Sequence, residues 1–165
     1  MTASLGYGEP DDISVTLETI MTAVINEEEI HPEDGILHHE EGVDLLPGNI
    51  ELSALEMSIA NVISREVILK EYIDMMREHY EIILIDCMPS LGMLTINALV
   101  AADSVLIPVQ ATYGTTIKIF ENTIPLSVKA AEASAEGISI FKHCYNGKVS
   151  QAYRGLTLEV LVNEE

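Results

Sequence analysis

The run Ile82-Ile83-Leu84-Ile85, ending in Asp86, constrains the fold of this chain more than any other stretch. Such a run has no polar face, so it predicts a strand over Tyr80–Asp86 buried on both sides, as in parallel sheets. Leu91–Ala101 then predicts a helix, and Ser104–Val109 a second strand of the same buried kind. Strand, helix and strand at this spacing make a βαβ unit. The fold class implied is α/β, with a mostly parallel sheet flanked by helices.

The remaining segments fit around that unit. Asp11 or Asp12 can cap a helix through Ile25, with Val15, Leu17, Ile20, Met21 and Val24 apolar. Residues 26–42 are acidic and broken by Pro32, Gly35 and Gly42, which predicts a solvated connection. Val43–Leu46 predicts a short strand closed by Pro47-Gly48. Ser53-Ala54-Leu55-Glu56 has the form of a capping box and predicts a helix to Val62. Ser64 predicts the cap of another, through His79. Beyond Gln110, Ile117–Phe120 predicts a strand and Ser127–Ala135 a helix. Val149, Tyr153, Leu156 and Val160 form one stripe of a terminal helix.

Charge narrows the function classes. The 165 residues carry 27 Asp and Glu against eight Lys and Arg, a formal charge of −19. Binding to DNA rests on cations that displace phosphate counterions. The cations here are scattered, so nucleic acid and anionic lipid are not expected partners. A hydrophobic share of 48% is enough for a core. No signal peptide opens the chain and no run is long enough for a membrane span. Cys87 and Cys144 make no disulfide framework. The expectation is a cytoplasmic protein of one domain, residues 1–165.

An apolar strand ending in Asp leaves two readings of Asp86: a cap for the next helix, or a carboxylate placed at the sheet edge where ligands of open α/β folds gather. The following residues bear on the choice. Asp86-Cys87-Met88-Pro89-Ser90-Leu91-Gly92 is similar to the D-C-P-P-S-L-G stretch of ParA/Soj/MinD-type partitioning ATPases, and Leu94 to Gln110 continues the likeness. Leu45-Leu46-Pro47-Gly48-Asn49-Ile50-Glu51-Leu52, Ser64-Arg65-Glu66 and Ile124–Ala133 resemble further blocks of that family, in its order.

The resemblance implies a Rossmann-like P-loop NTPase fold that uses Mg-ATP and works with a ParB-like partner. Asp86 would hold Mg²⁺ as a Walker-B carboxylate. Pro89, Ser90 and Gly92 would belong to the switch that senses the γ-phosphate, and Pro125 would lie on the adenine side. Met88 replaces the family's second proline. The family's K-G-G-x-G-K-T/S loop, which cradles phosphate, has no counterpart here. In Gly147-Lys148, Lys142 stands where the first glycine would, and Val149 replaces the hydroxyl residue. Gly6–Asp11 is no G-x-G-x-x-G either.

The expected fold is therefore a partial one, missing the P-loop strand. Pro108-Val109-Gln110 also runs almost directly into Ile117–Phe120, which implies either an internal deletion near residues 111–114 or a short divergent loop. Two functions follow. One is a partitioning ATPase homologue that does not bind or hydrolyse ATP normally. The other is a non-catalytic interaction protein, or a truncated remnant, that associates with itself or with a ParA-like relative.

Other candidates have plain readings. His31, His38 and His39 with Glu40 and Glu41 suggest a solvated loop rather than a metal cluster, because adjacent strand residues face opposite ways. Cys87 lacks a neighbouring histidine or cation, which favours a packed, inert thiol. Met75, Met76 and Met93 are core-type methionines.

Overall fold

The computed structural model describes residues 2–109 and 120–163. The chain divides into two compact units, one built on Glu9–Ile107 and one on Ala3–Gly8 with the chain beyond Pro108.

The first unit is a helical core with a small hairpin. Its helices are α1 (Leu17–Ile25), α2 (Glu51–Ser58), α3 (Ile68–Met76) and α4 (Met93–Ala101). α3 packs on both α1 and α4. Ile68, Leu69, Tyr72, Ile73 and Met76 line its buried face at helical spacing, against Ile20, Met21, Leu55, Ile59, Ala98 and Ala101.

Several ends differ from expectation. α1 begins after Thr16, whose N–H donates to Thr19 Oγ1 at 3.2 Å, while Asp11 and Asp12 lie in a separate 3₁₀ turn. Ser53 is inside α2. Asn49 supplies the helix start instead, its Oδ1 accepting from Glu51 N–H at 3.2 Å. Ser64 sits at φ +56 and precedes α3 by a turn. Leu69 N–H near the start of α3 donates to Asn97 Oδ1 of α4 at 3.0 Å. Asn97 is fully buried and also donates to the carbonyls of Arg65 and Met93, at 2.7 and 2.9 Å. A buried amide satisfied in this way ties α3 to α4.

The expected strand Val43–Leu46 forms as β2 (Asp44–Leu45). It pairs antiparallel with β1 (Leu37–His38), Leu37 facing Leu45 and His38 facing Asp44. Part of the expected solvated connection is thus a hairpin, turned at Gly42 with φ +79.

The expected parallel sheet is where structure and expectation part. Among the described residues the only ladder joins β1 and β2. Tyr80–Asp86 and Ser104–Val109 are not hydrogen-bonded strands, and the first run is not buried on both faces. Ile83 and Ile85 pack against the helical core, whereas Ile82 and Leu84 are 61% and 82% exposed. Helices cover one face only, and a strand, unlike a helix, cannot satisfy its backbone without a neighbour.

The second unit holds α5 (Val128–Glu136), α6 (Ile140–His143) and α7 (Lys148–Asn163). α5 ends at Gly137 in the left-handed region (φ +70), the usual way to close a helix. A Cβ there would run into the backbone of Gly6. Arg154 of α7 stacks on Tyr145, 4.0 Å from the ring centroid. Glu159 accepts from the N–H groups of Glu121 and Asn122 at 2.7 and 3.0 Å. The expected strand Ile117–Phe120 and the junction near residues 111–114 fall almost wholly outside the described residues.

Candidate functional site

Asp86 ends the half-buried run. Ile83 and Ile85 anchor that run to the helices, and the chain emerges into an exposed loop, Cys87–Leu91. Ser90 N–H donates to Met88 O at 2.7 Å, closing the loop around Pro89. Gly92 is extended (φ −90, ψ −178) and hands the chain to α4. Asp86, Pro89, Ser90 and Gly92 thus share one loop at the head of α4. Pro125 belongs to the other unit, in the exposed stretch Ile124–Leu126 before α5.

Glu56 of α2 completes this corner, and nothing in its local sequence announces it. Its Oε1 accepts from Leu94 N–H at 3.4 Å, in the first turn of α4. A Cβ on Gly92 would collide with the same carboxylate. The capping-box glutamate therefore serves α4, where the helix dipole favours an anion.

Beside the loop lies a concavity of about 130 Å³, lined by Asp86, Cys87 and Met88 with Asn49, Ser53 and Thr95 among others. Sites for drug-sized ligands run to about 300–1,000 Å³. No Lys or Arg lines it.

The three cations of the Glu9–Ile107 unit are engaged elsewhere. Arg65 Nη1 donates to the Ala60 carbonyl. Lys70 Nζ meets both oxygens of Asp74 at 2.8 Å. Arg77 grips Asp103 in a fork at 2.9 and 3.0 Å and reaches the Ala101 carbonyl at the end of α4. The hydrogen bond from Arg77 holds the Asp103 carboxyl below its usual pKa, and that from Lys70 does the same for Asp74.

Nucleotide phosphates need cations and converging N–H groups to offset their charge. Here they would meet the carboxylate of Asp86. The described residues lining this concavity do not by themselves fit Mg-ATP. Among the described residues no three His, Cys, Asp or Glu side chains converge as metal ligands either.

The other candidates resolve simply. His38 Nδ1 pairs with Asp44 Oδ1 at 2.7 Å, and Tyr80 OH donates to Asp44 Oδ2 at 2.8 Å. These bonds lower the Asp44 pKa, that from His38 most. Cys87 is exposed rather than packed. Met76 is buried, and Met75 and Met93 border the core. Gly147 and Lys148 lead into α7. No helix among the described residues is long and apolar enough to cross a membrane.

Comparison with known proteins supports the family resemblance. Residues 1–133 match a family described as "AAA domain". The sporulation initiation inhibitor protein Soj of Bacillus subtilis is 51% identical over 73 residues, 44% of this chain and 29% of that protein. The chromosome partitioning protein ParA of Myxococcus xanthus is 40% identical over 97 residues, 58% of this chain and 33% of that one. Among solved structures, cobyrinic acid a,c-diamide synthase of Mycobacterium smegmatis with bound ADP and magnesium aligns with a TM-score of 0.54 and 34% identity. That alignment covers 61% of this chain and 39% of the synthase.

The structural neighbours of this chain are P-loop ATPase-like proteins. The chain belongs to the AAA-domain family of ParA/MinD-type P-loop NTPases. Its matches take in about a third of the length of these partitioning relatives.

Proposed function

We propose that this chain is a chromosome- or plasmid-partitioning ATPase homologue that does not hold or hydrolyse ATP on its own and acts by associating with a ParA-like polypeptide. In this reading the chain is an incomplete single domain. Asp86 keeps the Walker-B, Mg²⁺-side position, Pro89, Ser90 and Gly92 the switch, and Pro125 the adenine side. Ile82–Ile85 and Ser104–Val109 are strands of a parallel sheet that another polypeptide completes. The location is the cytoplasm, and DNA contact is left to partners because the chain carries −19.

The observation that supports it is electrostatic. All three cations of the unit holding Asp86 are engaged away from the loop. Phosphoryl transfer depends almost wholly on positioned positive charge and N–H donors. None of these three cations is placed to receive a polyphosphate beside Asp86.

The test is a titration with a fluorescent ATP analogue, with and without Mg²⁺. The expected result is no saturable micromolar binding. Saturable Mg²⁺-dependent binding that is lost in Asp86→Ala overturns the proposal. Association is favoured over a purely vestigial role by the exposed apolar side chains of Ile82, Leu84 and Val105–Ile107, which a solitary soluble protein rarely displays.

A further inference from the structure

A second concavity, of about 200 Å³, opens beside the hairpin, and none of the loop residues around Asp86 lines it. His38 and Asp44 enter it from the two strands of the hairpin, and His79 and Tyr80 from the chain just past α3. Its polar groups are fixed in place. His38 Nδ1 meets Asp44 Oδ1 at 2.7 Å, and Tyr80 OH donates to Asp44 Oδ2 at 2.8 Å. An ionised carboxylate only accepts, so Nδ1 carries the ring proton and Nε2 of the neutral imidazole is left as an acceptor. Both bonds favour the charged form of Asp44 and lower its pKa.

Counting donors against acceptors shows what this concavity lacks. Glu33 adds a second carboxylate and His79 a second imidazole, while no Lys or Arg lines the walls. Tyr80 spends its one O–H on Asp44. Beside Tyr80, the buried Tyr72 hydroxyl has no hydrogen-bond partner among the described residues, and both Tyr80 and Asp34 act on it electrostatically. Acceptors and negative charge are thus in excess. Pro32, Ile36 and Met76 supply an apolar wall.

The complementary group brings many donors, no acceptor and a positive charge. A guanidinium has five N–H donors in a planar fork and cannot accept. An ammonium has three and is more strongly hydrated. An alkyl stem behind the charge would lie along the apolar wall. At about 200 Å³ the concavity is smaller than a drug-sized site, which suits a single such group.

We propose that this concavity binds an alkylguanidinium group, with Glu33 and Asp44 as its carboxylates and His38 Nε2 as a further acceptor. The group comes either from a free guanidino compound or from an arginine side chain of another polypeptide.

The experiment titrates the full chain with blocked arginine (acetylated and amidated) and follows the imidazole NMR signals of His38 and His79. Saturable shifts at both rings are expected. Blocked citrulline, which has nearly the same shape without the charge, should bind at least about tenfold more weakly. Blocked lysine should also bind more weakly than blocked arginine. Glu33→Gln changes an exposed side chain and should weaken arginine binding several-fold. Asp44→Asn should weaken it too, and if that variant melts differently from the parent, Glu33→Gln alone decides. A blocked Gly-Arg-Gly peptide separates the two sources. Tighter binding than blocked arginine assigns the group to a polypeptide, and equal or weaker binding assigns it to a free compound.

Equal affinity for blocked lysine would mean that the net charge of −19 merely attracts cations, and overturns the proposal. So does equal affinity for blocked citrulline, or shifts confined to other acidic segments such as Glu27–Glu29. Zn²⁺ binding at both imidazoles without arginine binding would make this a metal site and overturns it as well. None of these outcomes involves a nucleotide, so this site and the ATP reading fail separately.

Discussion

The helical core around α3 and the run Ile82–Ile85 are built from the same kinds of residue, yet one is sealed and the other is open. α3 buries Ile68, Leu69, Tyr72, Ile73 and Met76. Ile82–Ile85 is as apolar but hides only every second side chain. A helix satisfies its own backbone and needs partners for one stripe. A strand needs partners on two edges and two faces. Burial in this chain follows the neighbours available, and hydropathy alone does not separate the two regions.

The widest gap should appear on truncating one residue from each. Met21 of α1 is completely buried in the core that α3 completes, and Met21→Ala should cost about 3 kcal/mol of stability through lost contacts and a residual cavity. Leu84→Ala should cost less than about 0.5 kcal/mol, because its side chain is mostly in water. Urea denaturation of both variants measures the difference. Equal losses would mean that Leu84 is covered in solution and would erase the contrast.

A smaller effect tests the sealed region from inside. The Tyr72 hydroxyl is buried and has no hydrogen-bond partner among the described residues. Burial, with added repulsion from Tyr80 and Asp34, pushes its pKa up to about 12 from 10.0. A raised folded pKa means stability that is fully present below pH 10 and is lost as pH rises toward 12. The loss should be on the order of 2 kcal/mol. Tyr72→Phe removes the unpartnered hydroxyl, so it should be neutral or stabilise by up to about 1 kcal/mol at pH 7. It should also flatten stability across the alkaline window. Chemical melts at neutral and alkaline pH decide, and an unchanged alkaline slope in Tyr72→Phe would place the hydroxyl in water.

The contrast also explains what could be read from the sequence. α3 and α7 announce themselves by apolar spacing, and α5 lies within a residue of its expected bounds, so their positions were legible to within a few residues. α6 spans four residues and depends on one side-chain cap, Ser139 Oγ accepting from Lys142 N–H at 3.1 Å. That is too short for any period to show. The loop Asp86–Gly92 was legible as a motif, because its residues are contiguous. Asn97 and Glu56 were not, since they act on backbone groups 28 and 38 residues away. Asn97 sits in an apolar helix where nothing local calls for an amide. Glu56 carries the pattern of a cap for its own helix and instead caps another.

Glu56 gives the smallest and most local test of how the sealed region meets the open one. If its carboxylate steadies the first turn of α4, Glu56→Gln should cost about 0.5 kcal/mol or less, since an acceptor remains and only the charge–dipole attraction is lost. Glu56→Ala should cost somewhat more and speed exchange of the Leu94 amide that the carboxylate accepts from. Gly92→Ala reaches the same contact from the other side, because its new methyl would displace the carboxylate. The side chain is flexible, so displacement is cheap and its cost should match that of Glu56→Ala. The two alanine changes together should then cost little more than either alone, because both remove one interaction. Additive losses would mean that Gly92 is needed for some other reason, and Glu56 would no longer link α2 to the loop that carries Asp86.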